Sequence, residues 1–126
     1  MNQKGFATLE IILVVMVIGI LASIAVPRFT DITTKANTAK IQSDLTTLDT
    51  AISIYFMENG NYPTGLSQLS SYVRDIENLK PPTGAAYING TETQITGTAY
   101  AITANFNDKS ESRATLDGHA AGNFYK

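Results

Sequence analysis

Three features of this 126-residue sequence predict an α+β fold, with one long N-terminal helix packed by a small C-terminal antiparallel β-sheet. From Phe6 to Val26 the only ionisable side chain is Glu10. Beyond Pro27, apolar residues recur at spacings of three and four as far as Phe56. From Gly84 the apolar period changes to two, the signature of strands.

The first element is the apolar stem. As a helix rising about 1.5 Å per residue it spans roughly 30 Å, enough to cross a bilayer core. Its many valines and isoleucines are weak helix formers in water. In lipid that counts for little, because a helix satisfies its own backbone hydrogen bonds. Glu10 is the exception within it. A carboxylate in an apolar span is costly, which marks Glu10 as a functional candidate. Its plain reading is a side chain near the helix start that reaches the interface, where negative charge suits the helix dipole. The leader Met1-Asn2-Gln3-Lys4-Gly5 gives a second reading. A cut after Gly5 would leave a free amine on Phe6. The Glu10 carboxylate, four residues on or on a neighbouring copy, could pair with that amine and offset much of the burial penalty of both.

Net charge is −2, and −3 once Lys4 leaves with the leader, so there is no basic footprint for nucleic acid. The chain has no cysteine, hence no disulfide framework and no thiol chemistry. Lys4 stands before the stem and Arg28, Lys35 and Lys40 after it, so a charge count alone does not fix orientation. Ser23-Ile24-Ala25 fits a general signal-peptidase site. Against that, the apolar run is long for a secretory signal and Glu10 interrupts it.

The amphipathic half, residues 28–57, carries the stripe Ile32, Ala36, Ala39, Ile41, Leu45, Leu48, Ile52 and Phe56. Asp31, Lys35, Lys40, Asp44 and Asp49 are assigned to the opposite face. Pro27 lacks the N–H of a helix interior, which predicts a kink there. Gly19 is also a poor helix residue. Residues 58–126 form the globular domain. Gly60 caps the helix and Pro63 blocks its continuation. Leu66, Leu69, Val73, Ile76 and Leu79 predict a short second helix from about Leu66 to Asn78. Ala86-Tyr87-Ile88 and Thr93-Gln94-Ile95 flank an Asn89-Gly90 turn. Tyr100, Ile102, Ala104 and Phe106 alternate as a strand, and Arg113 to Leu116 is a further strand before an Asp117-Gly118 turn. A sheet of three or four strands is expected on the helix stripe, since a lone hairpin buries too little.

Catalytic chemistry finds little support. His119 is the only histidine and lies in a glycine-rich segment. A zinc site would need mostly carboxylates. Ser110, Ser112 and Thr115 lack a nucleophile setting. Asp108, Glu111 and Asp117 are hard oxygen ligands able to hold Ca²⁺, but Lys109 and Arg113 interleave them and the spacing is not that of an EF-hand, which favours a solvated loop. Tyr55, Phe56 and Tyr62 could stack on single-stranded DNA; with net negative charge, a place in the core is the better reading.

Lys4-Gly5-Phe6 followed by Glu10, an unbroken apolar helix, Gly19 and Pro27 resembles the N-terminus of type IV pilins and of the related pseudopilins of type II secretion and DNA uptake. The family frequently reads phenylalanine-threonine-leucine-isoleucine-glutamate, and this chain departs from it by reading Phe6-Ala7-Thr8-Leu9-Glu10, with the spacing from Phe6 to Glu10 kept. The resemblance covers roughly the first half of the chain. It implies removal of residues 1–5 by a prepilin peptidase and methylation of the new Phe6 amine. It implies that Glu10 recruits the subunit to a homo-oligomeric filament and neutralises a neighbouring N-terminus. It further implies a single pass of the cytoplasmic membrane with the C-terminal domain outside, an inner-membrane assembly platform, an assembly ATPase and minor pilins. Either unwinding of Gly19 to Pro27 on assembly or a simple kink fits the residues. Calcium in a C-terminal loop of major pseudopilins raises interest in Asp108, Glu111 and Asp117 without matching them to ligand positions. The Asn59 to Pro63 turn, the short domain and the absent cysteines lean towards the pseudopilin branch. The alternatives are a membrane-tethered extracytoplasmic binding module that does not polymerise, or a small secreted protein.

Overall fold

The computed structural model describes residues 3–126. Helix α1 runs from Gln3 to Asn59 without interruption, through Gly19 and Pro27. Two compact units divide the chain, one ending at Thr33 and one beginning at Thr34. Met1 and Asn2 of the expected leader lie outside the described residues.

In the first unit every described side chain from Phe6 to Ile24 is exposed. Its hydroxyls turn inward on the helix: Ser23 Oγ donates to the Ile20 carbonyl at 2.7 Å and Thr33 Oγ1 to the Phe29 carbonyl at 2.9 Å. Such back-bonding hides polar hydrogens from an apolar surround.

The second unit contains the end of α1, four strands and short 3-10 turns. Strands β1 (Ala85–Ile88) and β2 (Thr91–Gln94) form one antiparallel hairpin, with Ile88 opposite Thr91. Strands β3 (Ala101–Thr103) and β4 (Arg113–Thr115) form another, with Ile102 opposite Ala114. The expected single sheet is therefore two separate two-stranded sheets. The physical reason is that α1 takes the place of the missing strand neighbours. Asn37 Nδ2 donates to the Thr83 carbonyl at 3.2 Å and the Ala85 carbonyl at 2.9 Å, and Thr38 Oγ1 accepts the Tyr87 N–H at 2.7 Å. Further along, Asp49 Oδ1 accepts the Ala114 N–H at 2.8 Å. Helix side chains thus complete the inner edges of β1 and β4.

The expected helix from Leu66 to Asn78 is instead two 3-10 turns, Leu66–Leu69 and Ile76–Asn78. Asp75 adopts a left-handed conformation, φ 54°, which stops a continuous helix. The three-and-four spacing is still used, because Leu69 and Val73 are buried and Leu66, Ile76 and Leu79 pack around the core. The strand expected from Tyr100 to Phe106 is cut to Ala101–Thr103, since Asn105 and Asn107 are also left-handed. Gly60, φ 76°, donates to the Phe56 carbonyl at 2.8 Å and ends α1.

Ile41, Leu45, Leu48 and Ile52 of the predicted stripe form the core with Leu69, Ala114, Leu116 and Phe124. Ile32, Ala36 and Ala39 are exposed, and Thr34, Thr38 and Ala51 are buried in addition. Gly97 fits because a Cβ there would lie 2.6 Å from Asp117 Oδ1 and 3.0 Å from Leu116 Cδ1. That approach lets Asp117 Oδ2 accept the Thr96 N–H at 3.0 Å.

Candidate functional site

The stem presents a continuous exposed apolar surface. Phe6 is 53 % exposed, Ile11 64 % and Val26 62 %, where a soluble domain would have covered them. By length and composition α1 can cross a membrane, and its most apolar window is wholly unburied within the chain. Gly5 and Phe6 both lie inside α1, so the Gly5–Phe6 bond is helical. Thr8 Oγ1 donates to the Lys4 carbonyl at 2.9 Å within this turn. Glu10 is exposed and stands four residues from Phe6, one turn along the same face. Nothing lies within 4 Å of a Cβ added at Gly5 or Gly19. Within its own chain, neither glycine is required for packing.

The other residues singled out from the sequence are dispersed. Glu111 Oε1 lies 3.8 Å from Arg113 Nη1, and Asp117 holds the Thr96 N–H. Asp108 is exposed and left-handed. Among the described residues no group of three or more His, Asp or Glu side chains is placed to hold a metal ion. His119 meets the Phe124 ring edge-on at 6.4 Å and pairs with Leu116 through its backbone. Ser112 is buried, and the Thr115 hydroxyl bonds that of Thr103 at 2.8 Å.

The aromatics fold inward more than outward. Tyr55 meets Tyr72 edge-on at 6.2 Å, and Phe56 stacks on Tyr62 at 4.3 Å. Tyr55, Tyr62 and Tyr72 all pack against the core. The Tyr72 hydroxyl donates to Glu58, and that hydrogen bond holds its pKa above the usual tyrosine value.

Sequence reasoning placed Asp44 and Asp49 on a solvated face. The structure corrects this, since both are largely covered and tie the end of α1 to the domain. Asp44 Oδ2 accepts Lys40 Nζ at 2.6 Å and the Tyr100 hydroxyl at 2.5 Å. Lys40 Nζ also donates to the Lys80 carbonyl at 3.0 Å. Burial first, then the bond to Asp44, pushes the Tyr100 pKa far above the ordinary tyrosine value. Asp49 binds Arg113, whose pKa is raised by that bond against the opposing effect of desolvation. A local clue existed, because short acidic side chains are poor helix-interior residues unless something engages them.

Against known proteins, the chain is 39 % identical over 86 residues to the type II secretion system core protein G of Escherichia coli strain K12. It is 37 % identical over 80 residues to the type II secretion system core protein G of Vibrio cholerae. It is 39 % identical over 64 residues to the type IV narrow pilus major component PilA5 of Thermus thermophilus. The names of these relatives support the pilin and pseudopilin family for this chain. These matches cover 68 %, 64 % and 51 % of the chain and 58 %, 55 % and 55 % of the three relatives, so the chain spans little more than half the length of each. No family model matches this pilin-like chain, and no solved structure matches it significantly.

Proposed function

We propose that this chain is the structural subunit of a type II secretion-type pseudopilus or a type IV pilus, inserted as a precursor, cut after Gly5, methylated on Phe6 and polymerised through α1. The observation that carries the reading is the stem, exposed over the length of a membrane span and interrupted only by Glu10. The relatives named for secretion and pilus systems support it. Its action is mechanical and no catalytic step is assigned to it.

Before assembly the stem anchors the chain in the cytoplasmic membrane, with the unit from Thr34 onward outside the cytoplasm. On assembly it leaves lipid and packs against stems of other copies. Lipid tails and leucine side chains are similarly apolar, so that exchange is close to neutral in hydrophobic terms. Specific contacts then set the register, and Glu10 supplies one. Side chains on a helix tilt towards its N-terminus. Glu10 therefore leans towards the turn that begins at Phe6, where cutting exposes a positive amine at the positive end of the helix dipole. The same carboxylate is able to neutralise the amine of a neighbouring copy, which removes two unpaired charges from an apolar layer. Gly19, unneeded for packing within the chain, and Pro27 make this stretch of α1 the part that unwinds at least cost as stems pack. A peptidase, an assembly platform, an assembly ATPase and minor subunits are the partners this reading requires.

The deciding experiment is the N-terminal sequence and intact mass of the protein recovered from cells. A start at Phe6 with one added methyl group is the expected result. A start near Val26 would remove the stem and overturn the filament reading.

A further inference from the structure

Asn59–Gly60 and Asn89–Gly90 are the two Asn–Gly steps of the chain, and both stand at exposed turns. An Asn–Gly step modifies itself in water. The glycine main-chain nitrogen loses its proton to solvent and attacks the asparagine Cγ. A carbon–nitrogen bond forms, the side-chain nitrogen takes up a proton and leaves as ammonia, and a succinimide ring remains. One water then opens the ring at either carbonyl, giving an aspartyl or an isoaspartyl residue. Glycine favours this because it has no Cβ to hinder the attack. The reaction needs a glycine N–H free to ionise and an asparagine side chain free to swing.

Both conditions are blocked here, by different means. At the end of α1, Gly60 donates to the Phe56 carbonyl at 2.8 Å and Asn59 Nδ2 to the Tyr55 carbonyl at 3.0 Å. Those guards are local and belong to the helix. In the β1–β2 turn the guards come from a distant segment. Gly90 donates its N–H to the Tyr125 carbonyl at 2.9 Å, and Asn89 donates its N–H to the Asn123 carbonyl at 2.7 Å. Asn123 Nδ2 donates to Asn89 Oδ1 at 3.1 Å. The buried Phe124 ring anchors this segment between those two carbonyls.

We propose that Asn89 is a self-modification site guarded by residues 120–125, and that release of this segment licenses its deamidation. The isoaspartyl product adds a methylene to the main chain of a two-residue turn. That displaces Ile88 from Thr91 and prevents the guard from closing again. Local opening of the segment is thereby recorded as a lasting covalent change.

The test uses the full chain in detergent, aged in neutral to mildly alkaline buffer, with peptide mass spectrometry at positions 59 and 89. In the native protein both positions should deamidate far more slowly than in denaturant. Asn123→Ala removes both the donor to Asn89 and the acceptor of the Ala120 N–H, and should speed position 89 by about thirty-fold, the rise in open population expected from losing two ordinary hydrogen bonds. Position 59 should keep its rate. Asn123→Asp is the milder variant, because it removes the donor to Asn89 and keeps the acceptor for the Ala120 N–H, 3.1 Å away in the native protein. Equal rates at position 89 in native and denatured protein would overturn the proposal. So would an unchanged rate at position 89 in both variants, or equal acceleration at positions 59 and 89, which would mean global unfolding.

Discussion

Asp49 of helix α1 grips Arg113 of strand β4, with its Oδ2 3.0 Å from Arg113 Nη2 and 3.2 Å from Nε. The other oxygen takes the Ala114 N–H at 2.8 Å. One carboxylate thus satisfies both the main chain and a side chain of the strand. Its own side chain is 17 % exposed, so loss of the pair leaves poorly solvated groups behind.

Asp49→Ala should destabilise the globular unit by about 2 kcal/mol, because the Ala114 N–H and the Arg113 guanidinium lose their acceptor together. Asp49→Asn should be milder, since the amide oxygen still accepts one bond. Denaturant unfolding of the full chain in detergent, followed by circular dichroism, measures both. Equal stability of the alanine variant and the native protein would remove the clamp from the account.

Thr38→Val keeps the shape of the side chain and deletes its hydroxyl. The Tyr87 N–H is then left without its acceptor at a buried position, at a cost of about 1–3 kcal/mol. Amide exchange at Tyr87 should quicken in step with the fall in stability. Unchanged exchange there would mean that the strand edge is held by something else.

Tyr100 gives a pH dependence of known sign. Its pKa is raised in the folded state, so the folded protein holds this proton more tightly than the unfolded chain. Its contribution is complete below about pH 10, the ordinary tyrosine value, and is lost progressively as pH rises above that towards the folded pKa. Spectroscopic titration should show one tyrosine that resists ionisation until the chain unfolds. Tyr100→Phe should lower stability at neutral pH and flatten the alkaline fall. A native titration in which all six tyrosines ionise together near the ordinary value would contradict the burial of this hydroxyl.

Glu10→Ala should leave processing after Gly5 intact and reduce sheared filament severely, with the mature subunit accumulating in the membrane. Glu10→Gln separates charge from size and should behave like the alanine variant if neutralisation of an amine is the role. Wild-type filament yield from both would refute the pairing.

The stem, the amphipathic continuation and the change to strand-forming sequence were legible because each rests on a local rule. Apolar length predicts the span, the three-and-four spacing predicts the helix, and Asn59-Gly60 with Pro63 predicts its end. Glu10 stood out for the same reason, as the one ionisable group in an apolar run. Other expectations gave way to long-range contacts. Leu66 to Asn78 has helical spacing but folds as two turns, because Asp75 is left-handed and only Leu69 and Val73 of that stretch are buried. The expected single sheet became two hairpins, because Asn37, Thr38 and Asp49 occupy the strand edges that another strand would have used.

By itself, then, the sequence determined the apolar stem and the long helix, since periodicity and composition act through neighbours along the chain. Tertiary structure alone decided that Asp44 and Asp49 face the domain, that Thr38 stands in for a strand, and that Asn123 covers Asn89. Each of these joins groups more than thirty residues apart, and whether a polar side chain meets water or a buried partner is settled only when those segments are brought together.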